Sequence, residues 1–139
     1  MTETILCYAM MLFFRQKKKQ IGELGEDYAV AFLRKKGYKI LARNWYNPKG
    51  KRLGEIDIIA EKDAKLIFVE VKTRDVSGDL HVTPEEQITR MKLQKLQRAA
   101  EFYVKQQNLW NQQWQFDAVS VHVCDKKMVK IDHLENIFL

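Results

Sequence analysis

Gly54-Glu55-Ile56-Asp57-Ile58-Ile59-Ala60, followed by Phe68-Val69-Glu70-Val71-Lys72-Thr73-Arg74, decides how this chain is read. Both stretches are apolar and of strand length, and the turn at Asp63-Ala64 makes them a hairpin, 54–61 with 66–74. Asp57, Glu70 and Lys72 interrupt the apolar runs. An unpaired charge inside an apolar strand costs several kcal/mol, or shifts its pKa until it is neutral, so each of the three needs a partner or a task. Side chains alternate between the faces of a strand. Glu55, Asp57 and Ile59 therefore share one face of the first strand, and Phe68, Glu70 and Lys72 one face of the second. A loop of two or four residues sets Asp57 opposite Glu70, whereas a three-residue loop sets it opposite Val69, on the wrong face. The charge pattern thus predicts an even loop.

The rest of the chain is arranged around this hairpin. Upstream, 22–36 has a helical pattern, with Leu24, Tyr28, Ala31 and Phe32 on one stripe and Gly37 as the stop. A first strand covers 38–45, and Asn47-Pro48-Lys49-Gly50-Lys51-Arg52 is a basic turn. Downstream, a polar connection over 75–84 carries Gly78. Pro84 then opens a long helix to about Gln107, with Thr83 as its cap. The apolar stripe of that helix runs Ile88, Lys92, Leu96, Ala99, Tyr103, with a lysine where an apolar group is expected. A loop over 108–115 holds Trp110 and Trp114, 116–123 is a fourth strand, and 127–134 is a candidate fifth. The order helix, three strands, helix, one or two strands implies an α/β domain with a mixed sheet flanked by helices.

The chain has 139 residues, which suits one domain able to bury a core. We divide it into an N-terminal extension, 1–21, apolar then basic, and a single domain, 22–139. The net charge of +6 points toward polyanionic partners such as nucleic acid, although a solvated basic surface would give the same figure. Cys7 and Cys124 form no CxxC pair, so reduced thiols in a cytoplasmic protein are expected. The apolar run 5–14 is about half the length that a bilayer span takes, so no stable membrane span is expected. A secretory signal is disfavoured too, because Glu3 precedes the run and the basic residues Arg15, Lys17, Lys18 and Lys19 follow it. Three readings of 1–21 remain: an extension upstream of a start at Met10 or Met11, a packed extra segment, or a weak membrane-surface anchor. The first two together are preferred.

Two neighbouring carboxylates repel unless a cation lies between them. A hard divalent ion such as Mg²⁺ or Mn²⁺ prefers such oxygen ligands, lowers the pKa of a bound water and neutralises phosphate charge. A lysine beside it, here Lys72, can hold the attacking water or meet developing negative charge. Asp57, Glu70 and Lys72 are therefore the parts needed to hydrolyse a phosphodiester, and the competing reading is a structural ion-pair network. Thr73 and Arg74 are candidate phosphate contacts, Arg74 being equally a strand-end surface charge. Lys92 either snorkels past Ile88 and Leu96 or serves a site or phosphate. Glu55 supports the site or pairs with a lysine, and Asp117 caps or pairs at its strand start. His81, His122 and His133 show no HExxH or triad pattern and are read as ordinary surface or strand residues. Trp45, Tyr46, Trp110 and Trp114 either stack on bases or pack, packing being expected for at least two. The sequence has no glycine-rich phosphate loop.

Asp57 with Glu70-x-Lys72 resembles the PD-(D/E)xK signature of restriction-endonuclease-like nucleases. More narrowly, the chain resembles the YraN family of bacterial endonuclease-like proteins, itself similar to archaeal Holliday junction resolvases. The matching segments are Gly22-x-x-Gly25-Glu26-x-x-Ala29, Gly37-Tyr38-x-Ile40-Leu41-x-Arg43-Asn44, Gly54-Glu55-Ile56-Asp57, Phe68-Val69-Glu70-Val71-Lys72-Thr73-Arg74, Lys92 with Ala99-Ala100, and Phe116-Asp117. They run in order over most of the chain, and the whole series is far more specific than the short signature. The stretch between Asn44 and Gly54 is longer than is usual for the family.

The resemblance implies a restriction-endonuclease-like core, here of order αβββαβ with 127–134 as a candidate extra C-terminal strand. It also implies Asp57 and Glu70 as metal ligands, Lys72 as catalytic lysine, and Glu26 of the first helix as a further ligand or ligand-orienter. The Val71 carbonyl joins the ligand set, and Lys92 faces the site from the second long helix. Lys92, Arg43, Lys51 and Arg52 join Thr73 and Arg74 as candidate nucleic-acid contacts. The expected function is Mg²⁺- or Mn²⁺-dependent endonucleolytic hydrolysis of DNA, with branched DNA as a candidate substrate and a homodimer as the assembly by analogy. The alternative is a non-catalytic DNA-binding module that retains the nuclease fold. A third reading, an interaction protein whose carboxylates only pair with lysines, predicts no salt-dependent DNA binding.

Overall fold

The computed structural model describes residues 2–77 and 90–137. Along them run α1 (Thr2–Lys35), β1 (Lys39–Tyr46), a 3₁₀ turn (Lys51–Leu53), β2 (Glu55–Lys62), β3 (Lys65–Asp75), α2 (Arg90–Gln106), β4 (Trp114–Cys124) and β5 (Lys127–Leu134). The strands form one sheet in the order β1-β2-β3-β4-β5. All neighbours are antiparallel except β3 and β4, which are parallel. A parallel pair cannot be joined by a tight turn, and the crossover between β3 and β4 carries α2. The result is a mixed α/β fold with the sheet flanked by helices.

The two faces of the sheet bury separate cores. Ala29, Val30 and Leu33 of α1 pack with Tyr38, Ile58, Ala60, Ile67, Val69, Val119, Val121 and Val123. Leu96, Ala99, Ala100, Tyr103 and Val104 of α2 pack with Ile56, Ile59, Leu66, Phe68 and Phe116. β3 sends Leu66 and Phe68 to the α2 side and Ile67 and Val69 to the α1 side, the alternation expected of a strand covered on both faces.

Local chemistry accounts for the boundaries. Helix α1 ends where Gly37, at φ 88°, lets the chain turn back. The Gly37 N–H donates to the Arg34 carbonyl and the Tyr38 N–H to the Leu33 carbonyl, both at 3.0 Å, which is a Schellman cap. The β2–β3 turn is the two-residue loop Asp63-Ala64, both left-handed (φ 52° and 60°), closed by the Lys62–Lys65 pair. The even loop is therefore observed. β5 is present and joins β4 through a similar turn at Asp125 and Lys126 (φ 49° and 64°).

Three expectations change. The helix expected over 22–36 is the end of a longer one that reaches back to Thr2. The segment 2–21 contains no proline, and Gln16, Lys17, Lys18, Lys19 and Gln20 are straight-chain residues that lose little freedom in a helix. Leu6, Met10, Met11, Leu12, Phe13 and Phe14 stand exposed on this arm, so they do not supply the packing expected of an extra segment. No helix among the described residues is long and apolar enough to cross a membrane. β4 begins at Trp114 rather than Phe116, because the Trp114 ring packs edge-on against Phe68 (5.7 Å) and Phe116 (5.4 Å). The Thr83 cap, the Pro84 start of the second helix and Ile88 lie outside the described residues.

Candidate functional site

The hairpin register sets the site. β2 and β3 pair from Lys62–Lys65 to Ile58–Val69, and one further step brings Asp57 level with Glu70. There the regular ladder stops, and the Val71 N–H donates to Asp57 Oδ2 instead, at 2.8 Å. The strict alternation assumed from the sequence also fails here. Ile58 lies in the α1-side core, while Ile56, two positions earlier, lies in the α2-side core with Trp45. Between the β1–β2 pairs Arg43–Ile58 and Trp45–Ile56 sits Asn44, left-handed at φ 49°. Asp57 thus occupies a break in the pleat, where irregular backbone re-aims a side chain.

Two glycines bring the helices close. A Cβ on Gly25 would collide with the Thr73 side chain, so α1 approaches β3 closely at this point and carries the adjacent Glu26 toward the hairpin. A Cβ on Gly54, itself at φ 128°, would lie 2.8 Å from the Lys95 carbonyl oxygen and 2.8 Å from the Ala99 Cβ. Helix α2 therefore rests on the start of β2, which brings Lys92, one turn before Leu96, to Glu70. Lys92 Nζ and Glu70 Oε1 are 2.7 Å apart.

The electrostatics follow from this crowding. Burial raises the Asp57 carboxyl most. The neighbouring Glu70 charge, the Glu26 charge and a hydrogen bond with Glu70 add to it, the Val71 N–H opposes it, and the result is about 7. Two adjacent carboxyls sharing a proton behave this way. Glu26 is also raised, first by burial and then by Glu55 and Glu23, against a hydrogen bond from Asn44 and the charge of Arg43. For Lys92, burial works to lower the pKa. The hydrogen bond to Glu70 and the charges of Glu70 and Asp57 outweigh it, leaving the group raised.

Asp57, Glu70, Lys72, Lys92 and Glu26 are thus brought together, with Glu70 buried and Lys92 half-exposed. Val71 meets Asp57 through its N–H. The other candidates have contacts or positions of their own. Thr73 is the residue against which Gly25 packs. Arg43 donates to Asp27 Oδ1 of α1 at 2.7 Å. Arg74 is half-buried opposite His122 of β4. Arg52 is exposed in the 3₁₀ turn that also holds Lys51. Trp45 and Trp114 pack on the α2-side core, whereas Trp110 and Tyr46 are exposed.

A second polar cluster was not anticipated in this form. Asp117 is fully buried. Its Oδ1 accepts from Gln115 Nε2 (2.8 Å) and the Asn136 N–H (2.9 Å), and its Oδ2 lies 2.7 Å from His133 Nε2. His133 Nδ1 lies 3.1 Å from Lys36 Nζ, and Tyr38 OH donates to Glu135 Oε1 at 2.9 Å. Ligand-type atoms of Asp117, His133 and Glu135 fall within 4.8 Å of one another. A lysine can only donate, so Lys36 fixes the proton on Nε2, and Nε2 donates to Asp117. With both ring nitrogens engaged and an ammonium alongside, this is a structural relay tying the turn after α1, through Lys36, and β5 to β4. His133, read as an ordinary surface or strand residue, is a strand residue of β5 whose side chain is buried in this relay. The sequence signal was Asp117 itself, a carboxylate in an apolar strand like Asp57.

At the hairpin the donor set suits a hard divalent ion. Asp57, Glu70 and Glu26 offer only carboxylate oxygens, and a cation would relieve both the burial of the Asp57 charge and the Glu70 repulsion that adds to it. Lys92 already supplies one positive charge at Glu70.

A family model described as "Uncharacterised protein family UPF0102" matches residues 25–121. The chain is 42% identical over 120 residues to a UPF0102 protein of Syntrophomonas wolfei, covering 86% of this chain and 98% of that one. It is 40% identical over 122 residues to one of Alkaliphilus oremlandii, covering 86% and 98%. It is 42% identical over 118 residues to one of Flavobacterium psychrophilum, covering 85% and 92%. The matched span contains Glu26, Asp57, Glu70, Lys72, Lys92 and Asp117. The chain belongs to the UPF0102 (YraN) family.

Proposed function

We propose that this protein is a metal-dependent DNA endonuclease with a restriction-endonuclease-like core, and that the β2–β3 hairpin carries its active site. The observation behind this reading is the Asp57–Glu70 carboxyl pair, crowded enough to hold a proton near neutral pH, with Lys72 and Lys92 beside it. A bound Mg²⁺ or Mn²⁺ would supply Lewis acidity and a water of lowered pKa. Asp57 and Glu70 would hold it, with Glu26 and the Val71 carbonyl completing or orienting the set. Lys72 would orient the attacking water for in-line displacement at phosphorus and meet the negative charge that develops there. The Val71 N–H keeps the Asp57 carboxylate aimed by donating to Oδ2, so the ligand is oriented before substrate arrives. The net charge of +6 draws the chain to DNA, and Arg52 and Arg74 are candidate contacts to the phosphate backbone. A homodimer would suit branched DNA, whose paired strands present two cleavable sites.

The test is cleavage of branched, flapped and linear DNA with Mg²⁺ or Mn²⁺. Activity should depend on the metal and be lost in Asp57→Ala and Lys72→Ala. Absence of cleavage, or cleavage untouched by both changes, contradicts the reading. Salt-dependent binding without metal that persists in Asp57→Ala would instead favour a non-catalytic DNA-binding module, which the basic charge also suits.

A further inference from the structure

Lys92 has a place in this site that its position on the helix stripe does not explain. Leu96, Ala99 and Tyr103 continue the same stripe and are buried, whereas Lys92 reaches past the core edge to a carboxylate. Its partner, Glu70, is 10% exposed, while Lys92 itself is 43% exposed. The pair is therefore asymmetric. Glu70 is fixed in the floor of the site, and Lys92 is a flexible four-carbon stem with a strongly hydrated head at its rim. Breaking a contact of this kind is inexpensive only if another cation takes the carboxylate, since a buried carboxylate left alone is costly. Gly54 under the Lys95 carbonyl and Ala99 fixes the helix that carries Lys92, so exchange requires only side-chain rotation.

We propose that Lys92 is an exchangeable counter-ion: it holds Glu70 Oε1 in the metal-free protein, and releases that oxygen to a divalent cation so that its ammonium can turn to a DNA phosphate. This rests on the metal-site reading above and adds to it a regulation of the site. Lys92 and the divalent ion compete for Glu70, and DNA, by drawing Lys92 away, favours ion binding. Ion and DNA binding are then reciprocally coupled through one side chain.

The experiment is Mn²⁺ titration calorimetry of the full chain, wild type against Lys92→Gln and Lys92→Arg, with and without a short duplex at a temperature where cleavage is slow. Thermal melts of each variant establish that it is folded. Removing the competing charge should tighten Mn²⁺ binding in Lys92→Gln by roughly tenfold without DNA, and the gain in Mn²⁺ affinity on adding DNA should shrink. Lys92→Arg should remain near wild type. Mn²⁺ affinity that is unchanged or weaker in Lys92→Gln overturns the exchange and leaves the metal site standing. Failure of Mn²⁺ to bind any of the three proteins, each folded, overturns both the exchange and the metal site.

Discussion

Asp57→Asn is expected to lose metal-dependent cleavage by on the order of 10³-fold and, at the same time, to make the metal-free protein more stable at alkaline pH. The two effects have one cause. In the fold the Asp57 carboxyl titrates at about 7 against an ordinary value of 3.8, because burial and Glu70 disfavour its charge. A carboxyl raised by folding contributes its stability in full below its unfolded value and loses it as pH rises through the folded one. The wild type should therefore lose roughly 2–4 kcal/mol between about pH 4 and pH 8 from this group, and Asn, which cannot ionise, should not. Urea denaturation at pH 5 and pH 8 reads the difference directly: the midpoints of the two proteins should separate as pH rises, with the variant the more stable. A residue that destabilises its fold when charged, and whose loss removes activity, is what a strained functional carboxylate should look like.

Asp117→Ala is expected to be the most destabilising single change away from the hairpin, by about 3–5 kcal/mol. Asp117 accepts from Gln115 Nε2, the Asn136 N–H and His133 Nε2, all at 2.7–2.9 Å, with no exposure to solvent. Alanine leaves these donors unsatisfied in the interior and frees the chain that follows β5, which returns to the sheet through Asn136 and the Ile137 N–H on the Phe116 carbonyl (2.8 Å). His133→Ala should cost less, because it removes one donor and leaves Asp117 two others. Chemical denaturation of both variants tests the order. Equal costs would mean that the buried carboxylate acts only through His133.

Much of the frame was legible because it depends on local pattern. The hairpin, its even loop, the Gly37 stop and the last two strands follow from alternation, turn chemistry and capping, which act over a few residues. The grouping of Asp57, Glu70 and Lys72 was legible for the same reason, since charges in apolar strands are conspicuous. What escaped the sequence is non-local or irregular. The break in alternation between Ile56 and Ile58 depends on the left-handed Asn44 of another strand. The Lys92–Glu70 contact depends on how closely Gly54 lets α2 approach. The relay through Asp117 joins residues from the turn after α1, from β4 and from β5 that no spacing rule connects, which is why His133 looked ordinary. The packing of Thr73, read with Arg74 as a phosphate contact, against Gly25 is likewise non-local.

A divalent cation is expected to take the place of the proton that burial and Glu70 hold on Asp57. Calorimetric titration of Mn²⁺ into wild type and Asp57→Asn at pH 6, in two buffers of different ionisation enthalpy, tests it most directly. Wild type should bind Mn²⁺ with release of nearly one proton, because Asp57 is largely protonated at that pH, and Asp57→Asn should bind far more weakly and release none. Binding without proton release, or binding and release unchanged in Asp57→Asn, would contradict it.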